Sequence, residues 1–343
     1  MTDGIYILAN DVVHDQLIAL LNSIEANAGK EIPICIVPYD NRLDKVRAEL
    51  RQRPQVSLFE DQDSIAYWEN FSAQAWRAHK RAQKAWQAEA EPVVYRLAMH
   101  RKLCCLDGPF ERFIYFDADT LLMGPLDSVY QKLDQYDWVT NDFQYKSDRK
   151  YIFDAPEEQL LKVFSAEQLE SQLFCAGWFA SKRKVFSSEQ LSSLLESLNA
   201  GEAEVMALRG PDQSLLNYMV LRSAISYYNF AYNNPQAATG SHWSSKFDVI
   251  DQVLHDKGRR VTYIHYMSIP TSDFNQLCAG QDVKIPYRDL FLHYRYLKSP
   301  EERPQKLVRA NWQPSLKHFS QLISAIPSKV GRRLNQLNAK SSN

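Results

Sequence analysis

Apolar residues in this chain fall into two rhythms. Short unbroken apolar runs occupy residues 4–9, 32–38, 56–59 and 113–116, and each reads as a buried strand. Between them, residues 12–28 carry Val13, Leu17, Leu20, Leu21 and Ile24 at helical spacing, and residues 41–50 and 126–133 also read as helices. Residues 63–91 are polar but bear Trp68, Phe71, Trp76 and Trp86, which predicts one or two helices packed on the domain and closed by Pro92. Residues 95–106 predict a helix leading into the strand at 113–116, residues 138–140 a further strand, and residues 143–172 loops and short helices. Residues 173–180 and 260–266 read as later strands. Strand and helix alternate, so the fold expected is α/β: a mixed, mostly parallel sheet with helices on both faces. Ligands of such sheets bind beyond the carboxyl ends of the strands, where Ala9, Asn10 and Asp11 follow the first run. Asn10 suits a helix cap as well as it suits a ligand contact.

Composition narrows the picture. With 343 residues and 45% hydrophobic content the chain can build a large core, read here as a domain over 1–285 and a helical C-terminal extension over 286–343. The net charge of −1 gives no sign of nucleic-acid binding. Five cysteines, an odd number without a C-x-x-C pair, read as reduced buried thiols of a cytoplasmic protein. No secretory leader and no run of membrane-spanning length is expected. From Lys306 onward the chain has no acidic residue, and Leu316, Phe319, Leu322, Ile323 and Ile326 interleave with Arg309, Lys317, Lys329, Arg332, Arg333 and Lys340. That pattern fits either a helix packed on the domain with a basic tail or a peripheral contact with anionic lipid.

The chemistry concentrates around Asp117-Ala118-Asp119, which ends the run Phe113-Ile114-Tyr115-Phe116 and precedes the turn at Gly124-Pro125. Residues i and i+2 at a strand end point the same way, so two carboxylates leave the sheet together and repel unless a cation lies between them. Such hard oxygen ligands suit Mn²⁺ or Mg²⁺.

With Thr120-Leu121-Leu122 and Pro125-Leu126-Asp127 added, the stretch resembles the metal-binding motif of GT-A fold glycosyltransferases, above all the glycogenin-like and lipopolysaccharide galactosyltransferase-like group. Gly210-Pro211-Asp212-Gln213-Ser214-Leu215-Leu216-Asn217 matches that group's Asp-Gln segment, and His265 ends a late strand as its third metal ligand does. The resemblance implies a GT-A (Rossmann-like) fold, a nucleotide-sugar donor (a UDP-sugar), retention of configuration, and metal ligands Asp117, Asp119 and His265. It implies that Asp212 and Gln213 face the transferred sugar, that Ala9, Asn10, Asp11 and Ala118 lie near the nucleotide, and that a basic residue reaches the diphosphate, with Lys102 the better match and Arg96 the second. It places Gly177 where close backbone approach to the donor is needed. Three departures stand out. Cys175 replaces a polar residue, which calls one hydrogen bond to the sugar into question, Ser268 stands for glycine, and Thr271 stands for the lysine that holds the diphosphate. The acceptor is not encoded in any motif.

Two other readings use the same residues. Haloacid-dehalogenase-type phosphatases also end a strand on Asp-x-Asp, the first Asp being the nucleophile, but they want Thr or Val where Leu121 stands, and their motif opens the domain. A nucleotide-sugar-binding protein without turnover would account for the departures after His265.

Overall fold

The computed structural model describes residues 2–223, 225–233 and 246–308. Eight strands come first in the chain: β1 (Asp3–Ala9), β2 (Ile34–Pro38), β3 (Val56–Leu58), β4 (Arg112–Asp117), β5 (Thr120–Leu122), β6 (Trp138–Thr140), β7 (Trp178–Lys182) and β8 (Tyr227–Asn229). Four follow: β9 (Asp248–Ile250), β10 (Val253–Asp256), β11 (Arg259–Arg260) and β12 (Tyr263–His265). The main sheet has seven strands in the order β3-β2-β1-β4-β7-β6-β8. β1 runs parallel to both β2 and β4, and β2 is parallel to β3, while β7 is antiparallel to β4 and β6. The expected mixed, mostly parallel sheet is therefore present.

The apolar runs form strands because both faces of the sheet are covered. Ile5, Ile7, Ile114 and Phe116 pack beneath the helix His14–Ala28, whereas Tyr6, Phe113 and Tyr115 face the aromatic-rich layer containing Trp68, Trp76 and Trp86. Full burial on two faces explains unbroken apolar runs where a half-exposed strand would alternate. The four tryptophan and phenylalanine side chains of residues 63–91 are all buried, on the helices Gln62–Arg77 and Lys80–Ala88.

Register decides where the site forms. Leu8 pairs with Asp117, and Ala9 with Pro38, so β1, β2 and β4 end level at one sheet edge. The short β5, not anticipated from the sequence, pairs antiparallel with β12, with His265 opposite Thr120. β9, β10 and β11 form a separate meander. The strand expected over 173–180 begins only at Trp178, and that expected over 260–266 narrows to β12.

Residues 95–106 were expected as a helix; Leu97–Leu106 is one of 3₁₀ type, entered through Arg96 in the left-handed region with φ 53°. Within the segment read from the sequence as an extension, the helix Arg288–Arg295 packs on His14–Ala28: Asn22 Nδ2 donates to the Tyr294 carbonyl at 2.7 Å and Arg295 pairs with Asp15 at 2.6 Å. Of the basic segment only Lys306 is among the described residues; Arg309, Lys317, Lys329, Arg332, Arg333 and Lys340 lie outside them. Among the described residues no helix is long and apolar enough to cross a membrane.

Candidate active site

Asp117 closes β4. Its N–H donates to the Gly177 carbonyl at 2.8 Å, its carbonyl accepts Thr120 Oγ1 at 2.7 Å, and its carboxylate accepts from the Tyr115 hydroxyl. Asp119 lies in the turn to β5, and its carbonyl accepts the Tyr266 N–H at 2.9 Å, which pins β12 beside it. That bond and the β5–β12 pairing carry His265 to Asp119, with Nε2 3.2 Å from Oδ1. Asp117, Asp119 and His265 each offer a ligand atom, and these atoms lie within 4.8 Å of one another.

The electrostatics mark an incomplete cluster. Burial pushes the Asp117 carboxyl above its ordinary range, and the charge of Asp119 adds to this against the pull of Lys102. Burial acts on Asp119 in the same direction, but the adjacent His265 outweighs it and holds that carboxyl low. Burial opposes the charged form of His265, yet Asp119 raises it well above the usual imidazole value. Two carboxylates and one imidazole nitrogen, convergent and mutually unbalanced, form a donor set suited to Mn²⁺, and to Mg²⁺ with water completing the shell.

The trio opens into a cleft of about 670 Å³, lined also by Arg96, Met99, Cys175, Ala176, Gly177, Asp212, Gln213 and Met267. A contiguous depression of about 450 Å³ holds Ala9, Asn10, Tyr39, Arg96, Ala118 and Thr271 beside the two aspartates. Asp212 and Gln213 reach the cleft from the first turn of the helix Pro211–Arg222, where Pro at the first position and an acid in the first turn suit the helix start. Gln213 Oε1 accepts the Ala176 N–H at 3.3 Å.

Most residues singled out in the sequence converge here, and some in other roles. Lys102 does not enter the cleft. It is buried at 1% exposure, with Nζ 2.7 Å from Asp212 Oδ2, 3.4 Å from Asp117 Oδ1 and 3.2 Å from the Ala176 carbonyl. It is an internal tie between the two acidic walls, while Arg96 lines both depressions. Asp11 turns away and caps the next helix by accepting the Val46 N–H at 3.0 Å. Asn10 is the helix cap foreseen for it, accepting from the Val12 N–H at 3.0 Å, and it also lines the smaller depression. Ser268 has φ 69°, so a glycine-type backbone persists without glycine. Gln144, Tyr151 and Arg209 also line the cleft, and no sequence signal distinguished them.

Gly177 is required by its neighbour. A Cβ there would stand 2.3 Å from His265 Cε1 and 2.9 Å from both ring nitrogens. Gly177→Ala is therefore expected to displace His265 and weaken Mn²⁺ binding at least about tenfold. Titration of the purified variant with Mn²⁺ checks this; affinity equal to wild type would refute the packing argument.

No protein-family model and no curated protein matches the sequence. Solved structures do. A bifunctional glycosyltransferase, WbbM, in its apo form aligns with TM-score 0.54 at 18% identity over 88% of this chain; the chain spans 50% of that protein. The galactosyltransferase LgtC, solved with donor and acceptor sugar analogues, aligns with TM-score 0.54 at 14% identity, covering 87% of this chain and 96% of LgtC. A chain with this sheet order and this cleft has the fold of GT-A glycosyltransferases.

Proposed function

We propose that this protein is a metal-dependent glycosyltransferase that moves a sugar from a nucleotide-sugar donor, a UDP-sugar, to an acceptor with retention of configuration. The observation carrying this reading is the convergence of Asp117, Asp119 and His265 in a cleft that Asp212 and Gln213 also line. The three would hold Mn²⁺ or Mg²⁺; when bound, the cation supplies charge that offsets the negative charge growing on the departing diphosphate. Arg96 faces both depressions and adds a guanidinium for the diphosphate oxygens. Ala9, Asn10 and Ala118 line the smaller depression, which takes the nucleoside. Asp212 and Gln213 orient the sugar at the reacting carbon, and Lys102 keeps Asp212 ionised: burial would raise its pKa, but the ammonium holds it low. The phosphatase reading fits less well, because Asp117 ends the fourth strand and not the first, and Leu121 stands where that motif wants Thr or Val.

The test is donor hydrolysis and binding across a panel of nucleotide sugars with and without Mn²⁺. Metal-dependent UDP release is expected, with Gln213→Ala slowing release at least about tenfold while UDP affinity holds. Failure of every nucleotide sugar to bind, with or without metal, would defeat the reading. Binding without hydrolysis or transfer would assign the chain to the non-catalytic binders. A cytoplasmic location and a peripheral lipid contact through the basic C-terminal segment belong to the same proposal.

A further inference from the structure

The smaller depression lies where β1, β2 and β4 end, and Ala9, Tyr39 and Asp117 all line it. Val12 and Val13 add apolar surface, and Asp119 borders the same space. A diphosphate held at the metal trio therefore directs its nucleoside here. The amide expected to meet that nucleoside, Asn10, is committed at both ends. Its Oδ1 accepts the Val12 N–H at 3.0 Å and its Nδ2 donates to Asp40 Oδ2 at 2.9 Å. The Arg42 guanidinium, also in the lining, is engaged by the same carboxylate, with Nε 2.9 Å from Oδ2.

Gln16 differs from both. It sits in the first turn of the helix His14–Ala28, lines the same depression and is 2% exposed. Its Oε1 is buried and has no hydrogen-bond partner among the described residues. A buried polar atom left unpaired is destabilising, and native structures tolerate few of them. A ligand bringing an N–H to that oxygen would remove the penalty. The last torsion of a glutamine is broad, so the amide can turn its oxygen toward a ligand in the depression while the helix stays in place. Uracil is flat, apolar on its faces, and carries a single ring N–H once joined to ribose. We propose that Gln16 reads the donor's nucleobase, its Oε1 accepting the N3–H of uracil. The inference rests on the nucleotide-sugar reading and adds to it the residue that selects the base.

The experiment is calorimetric binding, in Mn²⁺, of UDP, N3-methyl-UDP and inorganic pyrophosphate to the full chain. The methyl group removes the N–H and leaves the rest of the nucleotide as it was. Wild type should bind UDP at least about tenfold tighter than N3-methyl-UDP. Gln16→Leu should lose about tenfold in UDP affinity and bind the two nucleotides within about twofold of each other. Its pyrophosphate affinity should match wild type, and its melting temperature should not fall, because leucine removes an unpaired polar atom. Wild type that binds UDP and N3-methyl-UDP alike would overturn the inference and leave the nucleotide-sugar reading standing. A discrimination that Gln16→Leu retains would overturn it too, as would a variant that melts lower and loses pyrophosphate, which would make Gln16 a structural residue. If UDP itself does not bind the wild type, the nucleotide-sugar reading fails and the inference is overturned with it.

Discussion

Asp119→Ala is expected to abolish Mn²⁺-dependent binding of UDP while leaving the protein folded. The two halves of that expectation come from different atoms of one residue. The carbonyl of Asp119 holds the Tyr266 N–H at 2.9 Å and so fixes β12, and alanine keeps that bond. The carboxylate is what the variant loses. It is one of the three proposed ligands, and its removal leaves Asp117 and His265 without the group that faces them both. Removing a direct ligand exceeds the ten- to hundredfold cost typical of losing an outer-sphere partner, so a drop of at least about a hundredfold in Mn²⁺ affinity is expected. Stability should stay within about 1 kcal/mol of wild type, since losing the His265 contact is offset by relief of repulsion with Asp117. Calorimetric titration with Mn²⁺ and UDP, paired with thermal melting, checks both halves. Undiminished metal-dependent binding would dismiss the trio as the metal site.

Lys102→Met should be the most destabilising single change in the site. The ammonium is 1% exposed and lies between Asp212, itself 6% exposed, and Asp117. Burial lowers the pKa of a lysine, yet the two carboxylates overcome that and raise it, so the charge is held in place by its partners. Methionine fills similar space but leaves buried carboxylates without a counter-charge, at a cost of about 3–5 kcal/mol. For a chain of this size that corresponds to a fall of roughly 4–7 °C in melting temperature. Lys102→Met combined with Asp212→Asn should recover part of the loss, because the second change removes one stranded charge. A single variant melting within about 2 °C of wild type would contradict the tie.

Much of this was legible in the chain, and the exceptions have physical causes. The strands β1, β2 and β4 announced themselves because burial on both faces demands unbroken apolar runs. Asp117 and Asp119 could be named because they follow a strand end with their context in sequence, and Asp212, Gln213 and His265 through the resemblance to GT-A glycosyltransferases. β5 could not, since Thr120-Leu121-Leu122 is three residues long and is a strand only through its pairing with β12. Lys102 was matched to a diphosphate-binding residue through the resemblance alone, on a segment read simply as a helix. The segment is 3₁₀, whose period of 3.0 aligns Met99, Lys102 and Cys105. Met99 then lines the cleft, Lys102 lies beneath it, and Cys105 reaches the core. Gly177 was read as a point of close approach to the donor; the group packed against it in the structure is the His265 ring. Asp11 gave no hint that its partner would be a backbone N–H on the second helix.

The three residues Cys175, Ala176 and Gly177 hold Asp142, Gln213, Lys102 and Asp117 by four separate bonds, and Gly177 also abuts His265. Asp117, Gln213, the Lys102 tie and the His265 ring thus lean on one short stretch of main chain. Contributions measured at these residues will not sum, because each substitution changes the reference state for the others. By the same linkage, a ligand that shifts this stretch from one side alters affinity on the other, and the effect runs equally in both directions.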